Sequence, residues 1–480
     1  MLYLSRSGTT AAVIFASAIV AALAGCSTHA HRVRSARQAY FANDLSAAAS
    51  LLELAEADLP QERDCLVLDR AVVLLAQGDP AGAETLLRDV RDKFDYLEQN
   101  SVAESGLSLL TDDTVVAYAG EDYEKVMVRA MLAISNIMYD GADATAYCLQ
   151  VDQKQREFAE RAATASGKPP EALIANVAIG AYLRGVVQEE SHVHYDDAER
   201  AFAKVSEWEP TFEFAQFDLE RVRTGVHSAP GNGVVYLFAL VGRGPYKEER
   251  VAAVTSDSLL IADRLISAAG DHTLPPTIAP IKIPMIVVPA NTVDSVAVDV
   301  NGNPEALTQT VTDVGKLAVA QFAAEEHEVI ARAIVRRVLK KTIVYASKES
   351  LDIEDGVENF ALDAAGVMWE ASEQADTRCW GLLPETIQVL RLELPIGTHQ
   401  LTLHPAHHGQ PIGAAHTTRV EVLDGRNTYV LASFPTQDLV GQILTSQPPR
   451  STAENRSMDH SYQASRPSAE PSETATFLIR

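Results

Sequence analysis

Cysteine is scarce in this chain, with 4 in 480 residues, and the positions exclude two kinds of framework. Beyond Cys26, the remaining Cys65, Cys148 and Cys379 are odd in number and widely spaced, so they make neither a disulfide scaffold nor a zinc motif. An oxidising compartment allows one bridge, but buried thiols acting as small apolar residues are the simpler expectation. Basic residues are also in deficit: 40 Lys and Arg face 65 Asp and Glu, for a formal net charge of −25. A field of that sign repels nucleic acid and anionic lipid, so no nucleic-acid partner is expected. Catalytic signatures are missing as well. There is no Gly-x-Ser-x-Gly elbow, and His327-Glu328 is followed by Ala331 where a zincin helix needs its second histidine. Gly242 to Lys247 is broken by Pro245 and reads as a strand-end turn, not a phosphate loop. His404, His407, His408 and His416 cluster near a turn, yet no carboxylate or thiol stands at ligand spacing beside them. Asp112, Asp113, Glu121, Asp122 and Glu124 could surround Ca²⁺ only if the residues between them curled back, so caps and solvated acids are expected. No catalytic residue, metal or cofactor can be named, and the expectation is a protein that is not an enzyme.

The marked apolar run, Ala11 to Ala24, is too short to span a bilayer as an ordinary helix. It follows Arg6 and ends in Leu23-Ala24-Gly25-Cys26, the layout of a bacterial secretory signal. That ending resembles a lipobox. In bacterial lipoproteins it implies cleavage before the cysteine and acylation of its thiol and of the new N-terminus. Several acyl chains exceed what a single lipid can anchor. Ser27, a non-Asp residue after the cysteine, goes with outer-membrane sorting in Gram-negative lipoproteins. The expectation is a signal peptide over 1–25, palmitate-type lipidation at Cys26, and a tether over 26–31. The anchor would lie in the outer membrane facing the periplasm, or on the outer face of the cell membrane in a source without an outer membrane.

Residues 32–226 read as helix after helix with an internal repeat. Asn43-Asp44-Leu45 followed by Ala48, Leu52 and Pro60 matches Gly78-Asp79-Pro80 followed by Ala83, Leu87 and Val90 at an offset of 35 residues. The tetratricopeptide period is about 34. Ala198, Phe202, Val205 and Pro210 reproduce the spacing of that repeat's second helix, and Ala144, Cys148 and Val151 do so more weakly. Small residues let paired helices approach closely, and apolar residues one and two turns on fill the seam. An irregular tetratricopeptide-like solenoid is expected, and a piece spanning 30–226 should fold by itself because repeat contacts are mostly local.

The pattern breaks at Leu110–Arg129, where Thr114 to Tyr118 is extended and β-prone, Gly120 interrupts, and Asp122 caps a helix starting at Tyr123. The run Asp-Asp-Thr-Val-Val-Ala-Tyr-Ala-Gly-Glu-Asp-Tyr-Glu-Lys-Val-Met-Val is similar to one in a family of uncharacterised bacterial lipoproteins with helical-repeat N-terminal halves. The resemblance returns at Ala375 to Pro384 and Leu394 to Leu403, and so covers most of the mature chain. It implies architecture and an envelope location and carries no activity. Within the first segment, Val115 and Tyr118 are expected to point into a partner groove on the concave side of the array, with Glu121 and Asp122 at its rim. The competing expectation is that Val115 and Tyr118 are core.

A linker over 227–233 leads to a mixed α+β domain over 234–440 with antiparallel strands. Strands are expected near 234–241, 278–289, 292–300, 387–394, 398–403, 417–423 and 429–434, the last ones closing a small β-sandwich. Leu423–Asn427 reads as a hairpin turn, and 428–434 as a half-buried strand. A long helix is expected over 314–345 with an apolar stripe of Phe322, Val329, Ile330, Ala333, Ile334 and Val338. Its acids precede Arg332, Arg336, Arg337, Lys340 and Lys341, matching the helix dipole, and the five cations read as a solvated face. A second helix is expected near 359–377, and a disordered Ser/Pro-rich tail over 441–480. The chain is therefore expected to be a lipid-anchored periplasmic adaptor or regulator of cell-envelope assembly that binds a protein or peptide. The alternatives are a structural or polymer-carrier protein, or an enzyme with dispersed residues.

Overall fold

The computed structural model describes residues 28–101, 117–166, 176–252, 254–269, 281–350 and 374–446. Cys26, Val115, residues 359–373 of the helix expected near 359–377, and the tail from 447 lie outside these residues; the described residues 374–377 are not helical. Among the described residues, no helix is long and apolar enough to cross a membrane.

The N-terminal half holds α1 (His29–Arg32), α2 (Arg34–Phe41), α3 (Leu45–Asp58), α4 (Arg63–Gln77) and α5 (Pro80–Ser101). It continues with α6 (Asp122–Ile137), α7 (Ala144–Ser166), α8 (Ala178–Glu190), α9 (Tyr195–Trp208) and α10 (Phe214–Arg223). Turn chemistry sets the boundaries. The Asp44 carboxylate accepts from Ala47 N at 3.0 Å, and Asp79 accepts from Gly82 N at 2.8 Å, so each caps the helix after it. From α2 to α10, each helix packs on its chain neighbours. The repeated small and apolar positions Ala48, Leu52, Ala83, Leu87, Val90, Ala144, Cys148, Val151, Ala198, Phe202 and Val205 are all buried between them. α6 is enclosed on every side, with Tyr123 through Ile137 buried without a break.

The C-terminal half contains β1 (Asn232–Arg243), β2 (Tyr246–Ala252), α11 (Ser256–Ala269), β3 (Ile281–Val287), β4 (Ser295–Val300), β5 (Asn303–Leu307) and β6 (Gln309–Asp313). After α12 (Val314–Ser350) come β7 (Pro384–Pro395), β8 (Gly397–His407), β9 (Gln410–Pro411), β10 (His416–Val422), β11 (Asn427–Phe434) and β12 (Val440–Thr445). One sheet has the order β12-β11-β1-β7-β6, a second β10-β8-β4-β5 with β9 on β8, and β2 pairs β3. β1 lies at the centre of the first sheet, antiparallel to β7 and parallel to β11. Its unbroken apolar run is what a strand covered on both faces needs. Val235, Leu237, Ala239 and Val241 face the second sheet, closing a sandwich with Val296, Val298, Leu401, Leu403, Val420 and Val422. Val234, Tyr236, Phe238 and Leu240 face the helices. α11, β3 and α12 bury a third cluster around Ala262, Ile266, Ile283, Ile330 and Ile334.

Several expectations change. Leu423–Asn427 is not a hairpin turn: β10 belongs to one sheet and β11 to the other, so the turn arches across the sandwich. β11 is buried on both faces, because helices cover the side that would otherwise meet solvent. The edge strand β12 carries the fold through 445, past the expected end at 440, and donates Gly441 N to Asn43 Oδ1 at 2.8 Å. Residues 29–31, expected to lie in a tether, are helical: α1 begins at His29, whose side chain is buried. The helical half also does not close its own core. A single cluster runs from Val33 through the helices to Tyr236, Phe238, Val389, Trp380 and Val440.

Candidate functional site at the junction of the two halves

Two segments that stood out in the sequence, 117–128 and 375–384, meet at this junction. Gly120 has a φ of 73°, and a Cβ there would fall 2.5 Å from the Phe94 ring, so only glycine lets the backbone pass. Glu121 then caps α6 with a capping box, its side chain engaging the backbone of Glu124 while Glu124 Oε2 accepts from Glu121 N at 3.1 Å. The N-cap is therefore Glu121, one residue earlier than expected.

Glu124 is fully buried and saturated with donors. Trp380 N donates to Oε1 at 2.8 Å, Tyr123 Oη donates at 3.2 Å, and Tyr118 Oη donates to Oε2. Burial and the nearby Glu121 carboxylate push Glu124 up from its ordinary value, against the pull of Lys247 and these donors. The rest of the strap 374–383, which has no helix or strand, is pinned the same way. Arg37 Nη2 and Cys65 Sγ donate to Cys379 O at 2.9 and 3.1 Å, and Leu382 N donates to Asp69 Oδ1 at 3.0 Å. Asp69 Oδ2 also accepts from Arg37 Nε at 3.0 Å. Arg378 holds Asp376 through two bonds of 2.9 and 2.7 Å, and its guanidinium lies 5.3 Å over the Tyr118 ring. Burial lifts Asp376, but the Arg378 hydrogen bonds outweigh it and hold the carboxyl below its usual range. Buried Lys247 ion-pairs with Glu121; burial alone would lower it, but Glu121, Asp376 and Glu124 raise it.

On one side of this network lies a cleft of about 360 Å³, lined by 117–121, Tyr123, Lys247, Ile286, Phe322, Glu325, Arg332, Arg336, Asp376 and Arg378. Gln321 crosses its wall: its Oε1 accepts from Tyr123 N at 2.8 Å, and its Nε2 donates to Glu325 Oε1 at 3.2 Å. Glu325 is pushed up to about 7, first by burial and then by Glu121 and Asp122. On the other side a second cavity of about 300 Å³ reaches His29, Arg32 and Glu62. There Cys65 Sγ stands 3.5 Å from His29 Nε2, and His29 Nδ1 stands 2.8 Å from Glu62 Oε2, the order of a thiol–imidazole–carboxylate relay. The thiol is fully buried, committed to Cys379 O, and driven well up by burial, so no thiolate is ready to attack.

The expected site residues separate. Tyr118 is 4% exposed, with its ring edge-on to Phe94 at 5.9 Å, so it is an interior residue that forms part of the inner wall of the cleft. The physical reason is its hydroxyl, which serves the buried Glu124. Glu121 does border the cleft. Asp122 is half-buried and bonds Lys125 and Arg161 at 3.1 and 2.7 Å. Of the five cations expected to form a solvated face, Arg332 is exposed, but Arg336 is buried at the cleft wall. Lys247, Asp376, Arg378 and Glu325 went unassigned in the sequence. The 375–384 segment carried a signal, but nothing local pairs it with residues more than 200 positions away. Compared with known protein families, curated proteins and solved structures, the chain matches none.

Proposed function

We propose that the chain is a lipid-anchored, non-catalytic envelope protein that binds a protein or peptide segment in the cleft between its helical and β halves. The observation that carries the reading is the lining of that cleft. Apolar Ile286 and Phe322 stand beside paired charges, Lys247 with Glu121 and Arg378 with Asp376, and these offer both signs to a backbone and its side chains. The helical half is read as a tetratricopeptide-like array, supported by the 35-residue repeat offset and the burial of its small and apolar positions. Cys26 is its lipid attachment point, placing the body on the periplasmic side of an outer membrane, where adaptor or regulator work in envelope assembly fits. A second reading, acid–base chemistry, rests on Glu325 at about 7 beside Glu121.

Photo-crosslinking in intact cells tests the binding reading. A photoreactive phenylalanine analogue at Phe322 should give a discrete adduct, and the same analogue at Leu54, exposed on α3, should give none. No adduct at Phe322, or identical adducts at both positions, would remove the cleft as the binding site.

A further inference from the structure

We propose a divalent transition-metal site of the zinc type on the outer sheet of the sandwich, formed by Asp294, His407 and His408. The sequence places two imidazoles side by side but supplies no carboxylate nearby; the fold brings one from 113 residues away. β8 ends at His407, which pairs with Gln410 of β9, leaving His408 and Gly409 as a two-residue turn. Their φ values of 50° and 74° are both positive, the requirement of a type I′ hairpin. Consecutive residues in a strand point to opposite faces. The turn cancels that alternation here, and the two ring centroids come to 4.1 Å.

Asp294 precedes β4, whose first residue, Ser295, lies opposite Ala406 in the ladder. Its backbone N donates to Ala406 O at 3.0 Å, and His408 N donates to Asp294 Oδ2 at 2.7 Å, so carboxylate and turn are fixed to one another. Ser295 Oγ donates to Oδ1 at 2.9 Å, orienting the carboxylate as the outer partner of a metal ligand does. His407 Nδ1 and His408 Nδ1 stand 3.3 and 3.6 Å from that same Oδ2, and the three ligand atoms lie within 4.8 Å of one another. A tetrahedral shell with metal–ligand bonds of roughly 2.0–2.2 Å has edges of about 3.3–3.6 Å. Two imidazoles and one carboxylate suit zinc, copper or nickel, whereas magnesium and calcium take oxygen sets. All three side chains are exposed, which leaves the remaining coordination position to water or a partner's donor.

The test is calorimetric titration of the mature chain, purified without a polyhistidine tag, with zinc chloride alone. Saturable binding of one ion is expected, lost in Asp294→Asn and in the double variant His407→Ala/His408→Ala. His404→Ala should bind as the parent does, because His404 faces Asp299 at 3.1 Å instead. Excess magnesium should not displace the zinc. Absence of saturable binding, or binding unchanged in the double variant, would overturn the site; the three groups would then be a surface ion pair.

Discussion

Glu325 borders the cleft, and its surroundings change its chemistry. Burial at the cleft, with Glu121 and Asp122 close by, raises its folded value to about 7 from an ordinary 4.5. A carboxyl raised in this way binds its proton more tightly folded than unfolded, so it favours the fold at low pH. That advantage is lost as pH rises from about 4.5 through 7. Glu325→Gln, neutral at every pH, should therefore raise the melting temperature at pH 8 and change it little at pH 5. Thermal melts at the two values check this, and a larger gain at pH 5 would reverse the argument. Residues of this kind were hard to read in the sequence. Glu325 looked like an acid complementing a helix dipole, and its raised value depends on neighbours some 200 positions away. Tyr118 was legible only as a choice between groove and core, because nothing in the sequence showed that its hydroxyl would serve Glu124.

Among the elements, the strap 374–383 matters most, because it has no helix or strand of its own and is held through its backbone. Ala375 N donates to Glu249 at 2.9 Å, and the Asp69–Arg37 pair grips both Cys379 O and Leu382 N. Asp69→Ala leaves a buried guanidinium without its counter-charge, and removal of one partner of a buried pair costs about 3–5 kcal/mol. Chemical denaturation should show a loss of that order; a change under about 1 kcal/mol would mean the strap is held elsewhere. Legibility differed sharply between elements. β1 was clear because a strand buried on both faces needs an unbroken apolar run, and α12 was clear from its stripe. β6 was missed because Gln309–Asp313 is short and polar, and its place beside β7 is set by the sheet. α11 did carry a local sign: Thr255 and Ser258 exchange hydrogen bonds at its start. β11 was legible as a strand, but its pairing and its burial on both faces were not, because its neighbours, parallel β1 and the covering helices, are remote in sequence.

For the whole molecule, the proposed anchor and the shared core set what can be tested. α1 begins at His29, three residues after Cys26, so a lipid at that cysteine would hold α1 and its adjoining cavity close to the bilayer surface. Cys26→Ser removes the thiol proposed to carry the lipid. The variant should not incorporate labelled palmitate and should remain an uncleaved precursor or be mis-sorted; labelled, outer-membrane protein from this variant would contradict the anchor.

The cleft has walls from both halves, so it exists as a site only if those halves form one cooperative body. The common cluster from Val33 to Val440 and the Glu124–Trp380 bond argue that they do. Scanning calorimetry of the mature chain, alongside a piece spanning 30–226, tests this most directly. The full chain should show one transition, with equal calorimetric and van't Hoff enthalpies. The isolated piece, lacking the β1 face that covers its helices, should melt without cooperativity. Two separate transitions in the full chain, one of them reproduced by the piece alone, would contradict it.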